Sequence, residues 1–194
     1  NVLDPHILLK HFNPDAIKYF LMREAPIGAD GNFSHQGFIS RVNTDLSNDW
    51  GNLVSRTSGM VSKYFKNNFD IDGKYGPKEE AVKEGYLQLE RDVTAFYDEY
   101  KFNRGLERIF EYVADLNKYI VESEPWNLAK VEENRTQLAA VMKTLVRGIL
   151  SVNNGVEQFT DSGRREDGPA IFARGDDRGF DPACTQLADE TSTG

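Results

Sequence analysis

Four amphipathic stripes of helical period, short polar connections between them, and no sustained alternation of period two predict an all-α fold, an antiparallel helical bundle. Composition permits it: 39% of the 194 residues are hydrophobic and 11% aromatic, enough apolar surface to offset the entropy of ordering one domain. A single cysteine excludes an internal disulfide and a multi-cysteine zinc site. No run of about eighteen apolar residues is present to span a bilayer. No secretory signal opens the chain, so a soluble, cytoplasmic protein is expected. The Asn at position 1, where an initiator Met is expected, points to a missing start.

The first helix signal is Asn13-Pro14-Asp15: a cap, a proline at the first helical position, and an acid near the positive end of the helix dipole. A short helix to about Arg23 follows. Pro26, Gly28, Gly31 and Asn32 make Glu24 to Phe33 a turn-rich connection with room for a small hairpin. Ser34 caps what comes next. From there to about Lys66, Phe38, Val42, Leu46, Trp50, Leu53, Thr57, Val61 and Phe65 recur at three- and four-residue steps. This predicts one helix of about 45 Å, weakened only at Gly51 and Gly59. A polar loop over Asn67 to Pro77 leads into a helix from Lys78 to Tyr100. Asn103 offers a cap for a third long helix on Leu106, Ile109, Phe110, Val113, Leu116 and Ile120. The fourth starts near Glu133, and its pattern stops near Leu150. Residues 155–194 hold 4 basic and 9 acidic side chains, leaving 19 against 22 for the first 154. The body is therefore nearly neutral, and its acidity does not exclude a nucleic-acid partner.

Catalytic constellations are absent. None of His6, His11 and His35 has a Glu three residues before it, which removes a di-iron bundle. There is no glycine-rich phosphate loop, and Asp30 in the Gly28–Gly31 turn would repel a phosphate. Cys184 lacks an evident His partner. No catalytic or metal-binding residue is expected. Two places carry more. Asn52 and Arg56, four apart on the long helix, share a face; an amide beside a cationic fork of donors suits the polar edge of an unpaired base. The same spacing fits an exposed polar pair or an Asn bonded to a neighbouring helix. In Glu124-Pro125-Trp126-Asn127, the fixed proline backbone orients the indole, either as a stacking platform or as a plug for the bundle end.

Three stretches carry a family resemblance. Arg23-Glu-Ala-Pro-Ile-Gly-Ala-Asp-Gly-Asn-Phe-Ser34, Asp45-Leu-Ser-Asn-Asp-Trp-Gly-Asn-Leu-Val-Ser-Arg56 and Pro125-Trp-Asn-Leu-Ala-Lys130, with Phe102-Asn-Arg-Gly-Leu106 between them, resemble the bacterial methionyl-tRNA synthetases. The resemblance covers about residues 1–150. It implies an anticodon-binding helical bundle in which Asn52, Arg56 and Trp126 contact the anticodon, especially its first-position cytosine, with Pro125 fixing the Trp. It implies residues 1–33 as a connecting segment after the catalytic domain, 34–150 as the anticodon-binding domain, and 151–194 as an irregular tail. The chain would begin just past the family's Lys-Met-Ser-Lys-Ser loop, so the methionine pocket, the ATP site and any zinc-bearing insertion lie upstream. No cofactor is then expected here, and no aminoacylation by the fragment alone. The implied partners are methionine tRNA and the catalytic domain of the parent chain. Family members continue past Leu150 with a closing helix that is not recognisable here, which would expose part of the fourth helix and lower stability. The alternative is a bundle that mediates protein contacts without RNA, and it expects the Trp126 face to be buried.

Overall fold

The computed structural model describes residues 5–28, 31, 33–66 and 72–161. Its helices are α1 (Pro5–His11), α2 (Pro14–Glu24), α3 (His35–Arg41), a π-helical segment (Val42–Gly51), α4 (Asn52–Phe65), α5 (Pro77–Asp98), α6 (Phe102–Ser123), the short α7 (Pro125–Leu128), a 3-10 turn (Glu132–Asn134) and α8 (Arg135–Asp161). Among the described residues there is no strand; Gly28 makes a turn with φ of 83°, and residues 29, 30 and 32 of the span that had room for a hairpin lie outside the described residues.

The centre of the bundle is α6. Its stripe of Leu106, Ile109, Val113, Leu116 and Ile120 is buried along its whole length, and Leu89 and Val93 of α5 and Leu138, Val141, Met142 and Leu145 of α8 complete the core. Each such side chain contributes about 1.5–3 kcal/mol on leaving water. Helices α5 and α6 run antiparallel: Glu79 accepts from Tyr119 Oη at 2.6 Å and Asp92 from Arg108 Nε at 2.9 Å. Their connection closes with Tyr100 in the left-handed region and Lys101 N donating to Phe96 O at 2.8 Å. Gly105 sits where a Cβ would come within 2.3 Å of the Tyr97 ring, which is how α5 and α6 approach so closely there. Helix α8 returns along α6, with Gly148 against Leu116.

Several expectations need correction. Within the expected connecting segment, Tyr19 and Phe20 of α2 belong to the core, and the Tyr19 ring meets Phe110 of α6 edge-on at 5.6 Å. Helix α1 precedes the first helix signalled by Asn13, and Asn13 does cap α2, its Oδ1 accepting from Asp15 N at 2.8 Å. Asn103 is the second residue of α6, not its cap. The fourth long helix does not stop at Leu150 but runs on to Asp161 as part of α8. Ser151 and Val152 are buried on the same stripe as Leu138 and Leu145, so packing outweighs the weak helix propensity of Ser151-Val152-Asn153-Asn154. The boundary at 151 therefore falls inside a helix; residues 162–194 of the expected tail lie outside the described residues. The long helix expected from Ser34 to Lys66 is present as α3, the π segment and α4 in unbroken succession, but its middle third is not α-helical.

Candidate nucleic-acid interface

Helix α4 turns Leu53 and Thr57 into the core. Asn52 and Arg56 each precede one of these by a residue, about 100° round the helix, and so flank the buried stripe: Asn52 is exposed and Arg56 half-buried. At the other place, Glu124 enters the left-handed region (φ 43°) and ends α6. Pro125, buried, then begins α7, whose single turn is closed by Leu128 N to Glu124 O at 3.2 Å and Ala129 N to Pro125 O at 3.0 Å. The proline anchors the turn from inside and leaves Trp126 outside, 37% exposed. Part of the indole is thus open to solvent, whereas the protein-contact alternative expects its face to be buried.

Two contacts set the height of these groups along the bundle. Asn117 Nδ2 of α6 donates to Asp49 O at 3.0 Å. Arg135, which opens α8 beyond the end of α6, reaches Tyr64 O at 3.4 Å and lies over the Phe65 ring at 5.3 Å. Helices α4 and α6 therefore head toward the same end. At 1.5 Å per residue, Arg56 stands about 6 Å beyond Asn52 along α4 and the end of α6 at Ser123 about 9 Å beyond Asn117, so both places lie toward the same end of the bundle. No hydrogen bond, ring contact or ion pair among the described residues joins Trp126 to Asn52 or Arg56, and none occupies the Asn52 amide or the Arg56 guanidinium. Lys63 on α4, Lys66 at its cap and Lys130 after α7 supply further cations toward this end, of the kind that meets phosphates. Among the described residues, no three His, Cys, Asp or Glu side chains could hold a metal ion, and no helix is long and apolar enough to cross a membrane.

A feature that side-chain spacing did not disclose lies just before Asn52. Asp45 of the π segment is buried, with 5% of its surface exposed. Tyr19 Oη of α2 donates to its Oδ2 at 2.5 Å, Arg23 Nε stands 3.7 Å from the same oxygen, and Arg41 Nη1 of α3 stands 4.0 Å from Oδ1. Burial, then the hydrogen bond and charge of Asp45, push the Tyr19 phenol up. Burial, then the Asp45 charge, raise Asp49. The sequence signal is a run of poor helix formers, Asn43-Thr44-Asp45 and Ser47-Asn48-Asp49, inside an otherwise helical pattern.

With this arrangement in view, the chain can be set beside known proteins. The family model for class I tRNA synthetases (M) matches residues 1–58. Methionine–tRNA ligase of Fusobacterium nucleatum is 40% identical over 152 residues, which is 78% of this chain and 24% of that protein. This chain is a homologue of the methionyl-tRNA synthetases. Methionine–tRNA ligase of Clostridium perfringens is likewise 40% identical, over 82% of this chain and 25% of that protein. Apo methionyl-tRNA synthetase of Mycobacterium tuberculosis superposes with a TM-score of 0.77 at 27% identity, covering 83% of this chain and 33% of that one. The same enzyme bound by methionyl-adenylate gives 0.76 at 28%, covering 81% and 32%. The chain thus spans about a quarter of the length of the curated relatives it matches.

Proposed function

We propose that this chain is the anticodon-binding part of a methionine–tRNA ligase, the enzyme that uses ATP to activate methionine and then esterifies it to its tRNA. Trp126 stacks on the splayed first-position cytosine of the anticodon, Pro125 holds the ring's direction, and Asn52 and Arg56 satisfy the polar edge of that base. Stacking on an aromatic contributes about 1–3 kcal/mol per base, and a good polar contact set discriminates by about as much. The observation that carries the reading is an exposed indole on a proline-anchored turn, toward the same end of the bundle as an amide and a guanidinium that have no protein partner among the described residues.

The opposite end of α6, about 33 Å away, suits a protein neighbour. There Ile27 is 67% and Tyr100 70% exposed, and a cavity of about 260 Å³ opens between Leu21, Met22, Pro26, Ile27 and Phe102. The catalytic domain of the parent chain is the partner this apolar end fits. The reading is tested by binding of a methionine-tRNA anticodon stem-loop and of one with its first anticodon base changed, to this chain and to Trp126→Ala. Wild type is expected to prefer the cytosine by about tenfold or more, and Trp126→Ala to lose most of that binding. Equal affinity throughout would remove it.

A further inference from the structure

We propose that Asp45 and Asn117 are positioning residues: they hold the π-helical register of Val42–Gly51 and thereby set the direction in which Asn52 and Arg56 face the RNA. The inference rests on reading those two as base contacts, and it adds the residues that aim them.

π-Helix occurs mostly as single turns, often at functional sites, yet here it runs for 10 residues and ends where Asn52 begins. The Asn52 N–H bonds both Ser47 O and Asp49 O, so the last five-residue step closes on the first proposed contact residue. Each such turn holds about one residue more than an α turn, and one residue is about 100° of α-helix. Reversion of a single turn would swing the Asn52–Arg56 face by roughly that angle, out of line with Trp126.

Three features brace the segment. From one side, Asp45 is gripped by Tyr19 and Arg23 of α2 and by Arg41, whose Nη2 also stands 3.6 Å from Glu24 Oε2. From another, the Asn117 amide of α6 takes the Asp49 carbonyl at 3.0 Å, an insertion into the ladder of the kind that alters helix geometry. Third, Gly51 leaves room at the Leu46 carbonyl, which a Cβ would approach to 3.1 Å. A buried carboxylate flanked by cations is a poor way to add stability, since an apolar set of the same shape does as well; its best-attested use is to select one register among several. Arg23 Nε and Asn117 Oδ1, buried without a hydrogen-bond partner among the described residues, show that the cluster is not arranged for the fullest polar satisfaction.

The experiment uses the 194-residue chain as wild type, Asp45→Asn, Tyr19→Phe and Asn117→Asp, with Leu116→Ala, whose side chain packs against Gly148 of α8, as a destabilised control. Two quantities are read: the ratio of affinities for the cytosine and changed-base stem-loops, and amide hydrogen exchange of Gly51 to Arg56. The expected result is a ratio reduced about tenfold in Asp45→Asn and Asn117→Asp, with affinity for the changed-base stem-loop held within about twofold and protection lost at those amides first. Leu116→Ala is expected to keep its ratio. Should Asp45→Asn not fold, Asn117→Asp carries the test, because its side chain is only half-buried. Variants that keep the wild-type ratio and exchange pattern overturn the inference. If wild type itself does not discriminate, the base-contact reading falls, and exchange alone then decides the register: protection lost only at Gly51 to Arg56 sustains it, and unchanged protection overturns it.

Discussion

Helix α6 and the rod formed by α3, the π segment and α4 are both long, both half-turned to the core, and built on opposite terms. In α6 every step of the stripe is apolar and buried, and the helix ends at Ser123, capped by the left-handed Glu124 ahead of Pro125. In the rod, the middle third abandons α geometry, buries a carboxylate, and leaves Thr57 Oγ1 covered without a hydrogen-bond partner among the described residues. Local propensity and patterning agree in α6 and disagree in the rod; such disagreement is expected where a protein presents a site rather than fills a core. On the proposed reading, the core helix accounts for stability and the irregular one for what the surface recognises.

Substitutions should separate the two. The largest effect is expected from Leu116→Ala, which opens a cavity where α6 meets Gly148 of α8: about 2–5 kcal/mol lost in urea unfolding, with base discrimination intact. Arg56→Ala in the rod should do the reverse, leaving stability within about 0.5 kcal/mol while reducing preference for the cytosine stem-loop. If both changes moved both quantities, the division of labour would be wrong.

Alkaline titration gives a smaller, graded effect that falls mainly on the core side. Burial raises the phenols of Tyr19, Tyr97, Tyr112 and Tyr119, helped at Tyr19 and Tyr119 by hydrogen bonds to Asp45 and Glu79. A group whose folded pKa is raised contributes stability that is whole below its unfolded pKa and declines as pH rises. Stability should therefore be flat to about pH 10 and then fall by up to ~1.4 kcal/mol per pH unit for each buried phenol. Tyrosinate absorbance should appear together with loss of helical circular dichroism; ionisation of these four well before unfolding would contradict their burial.

The smallest effect concerns the Arg108–Asp92 pair between α6 and α5. Burial alone would raise Asp92, but hydrogen bonds from Arg108 and Gln88 and the charges of Arg108 and Arg91 outweigh it and hold the carboxyl below its usual range. Its contribution is present above the unfolded carboxylate pKa, near 4, and is lost as pH falls through the folded value. Asp92→Asn should cost about 0.5–1 kcal/mol at pH 7 and flatten the acid limb of the stability curve.

What was legible in the sequence follows the same division. Leu106, Ile109, Phe110, Val113, Leu116 and Ile120 mark the buried face of α6, because one periodicity there serves both backbone and packing. Pro125 marks the turn that follows the left-handed Glu124, but proline chemistry alone leaves open whether the indole lies outside or plugs the bundle end. The π segment was not legible in the apolar spacing, because steps of three and four residues look alike whether backbone bonds close over four residues or five; only the run of poor helix formers from Asn43 to Asp49 marks it. The Tyr19–Asp45 pair, 26 residues apart, leaves no mark in a single sequence. The extension of α8 was hidden because Ser151, Asn153 and Asn154 are weak helix formers, while what holds that turn is the burial of Val152 and the Ser151 hydroxyl donating back to Arg147 O at 2.8 Å.

The central claim, that the Trp126 ring stacks on the first anticodon base, is tested most directly by its fluorescence. Titration with the cytosine stem-loop should quench wild type in proportion to binding, and Trp126→Phe, which retains Trp50 as its only indole, should bind with little quenching. Quenching that persists in Trp126→Phe, or that is equal for the stem-loop with the changed base, would contradict the account.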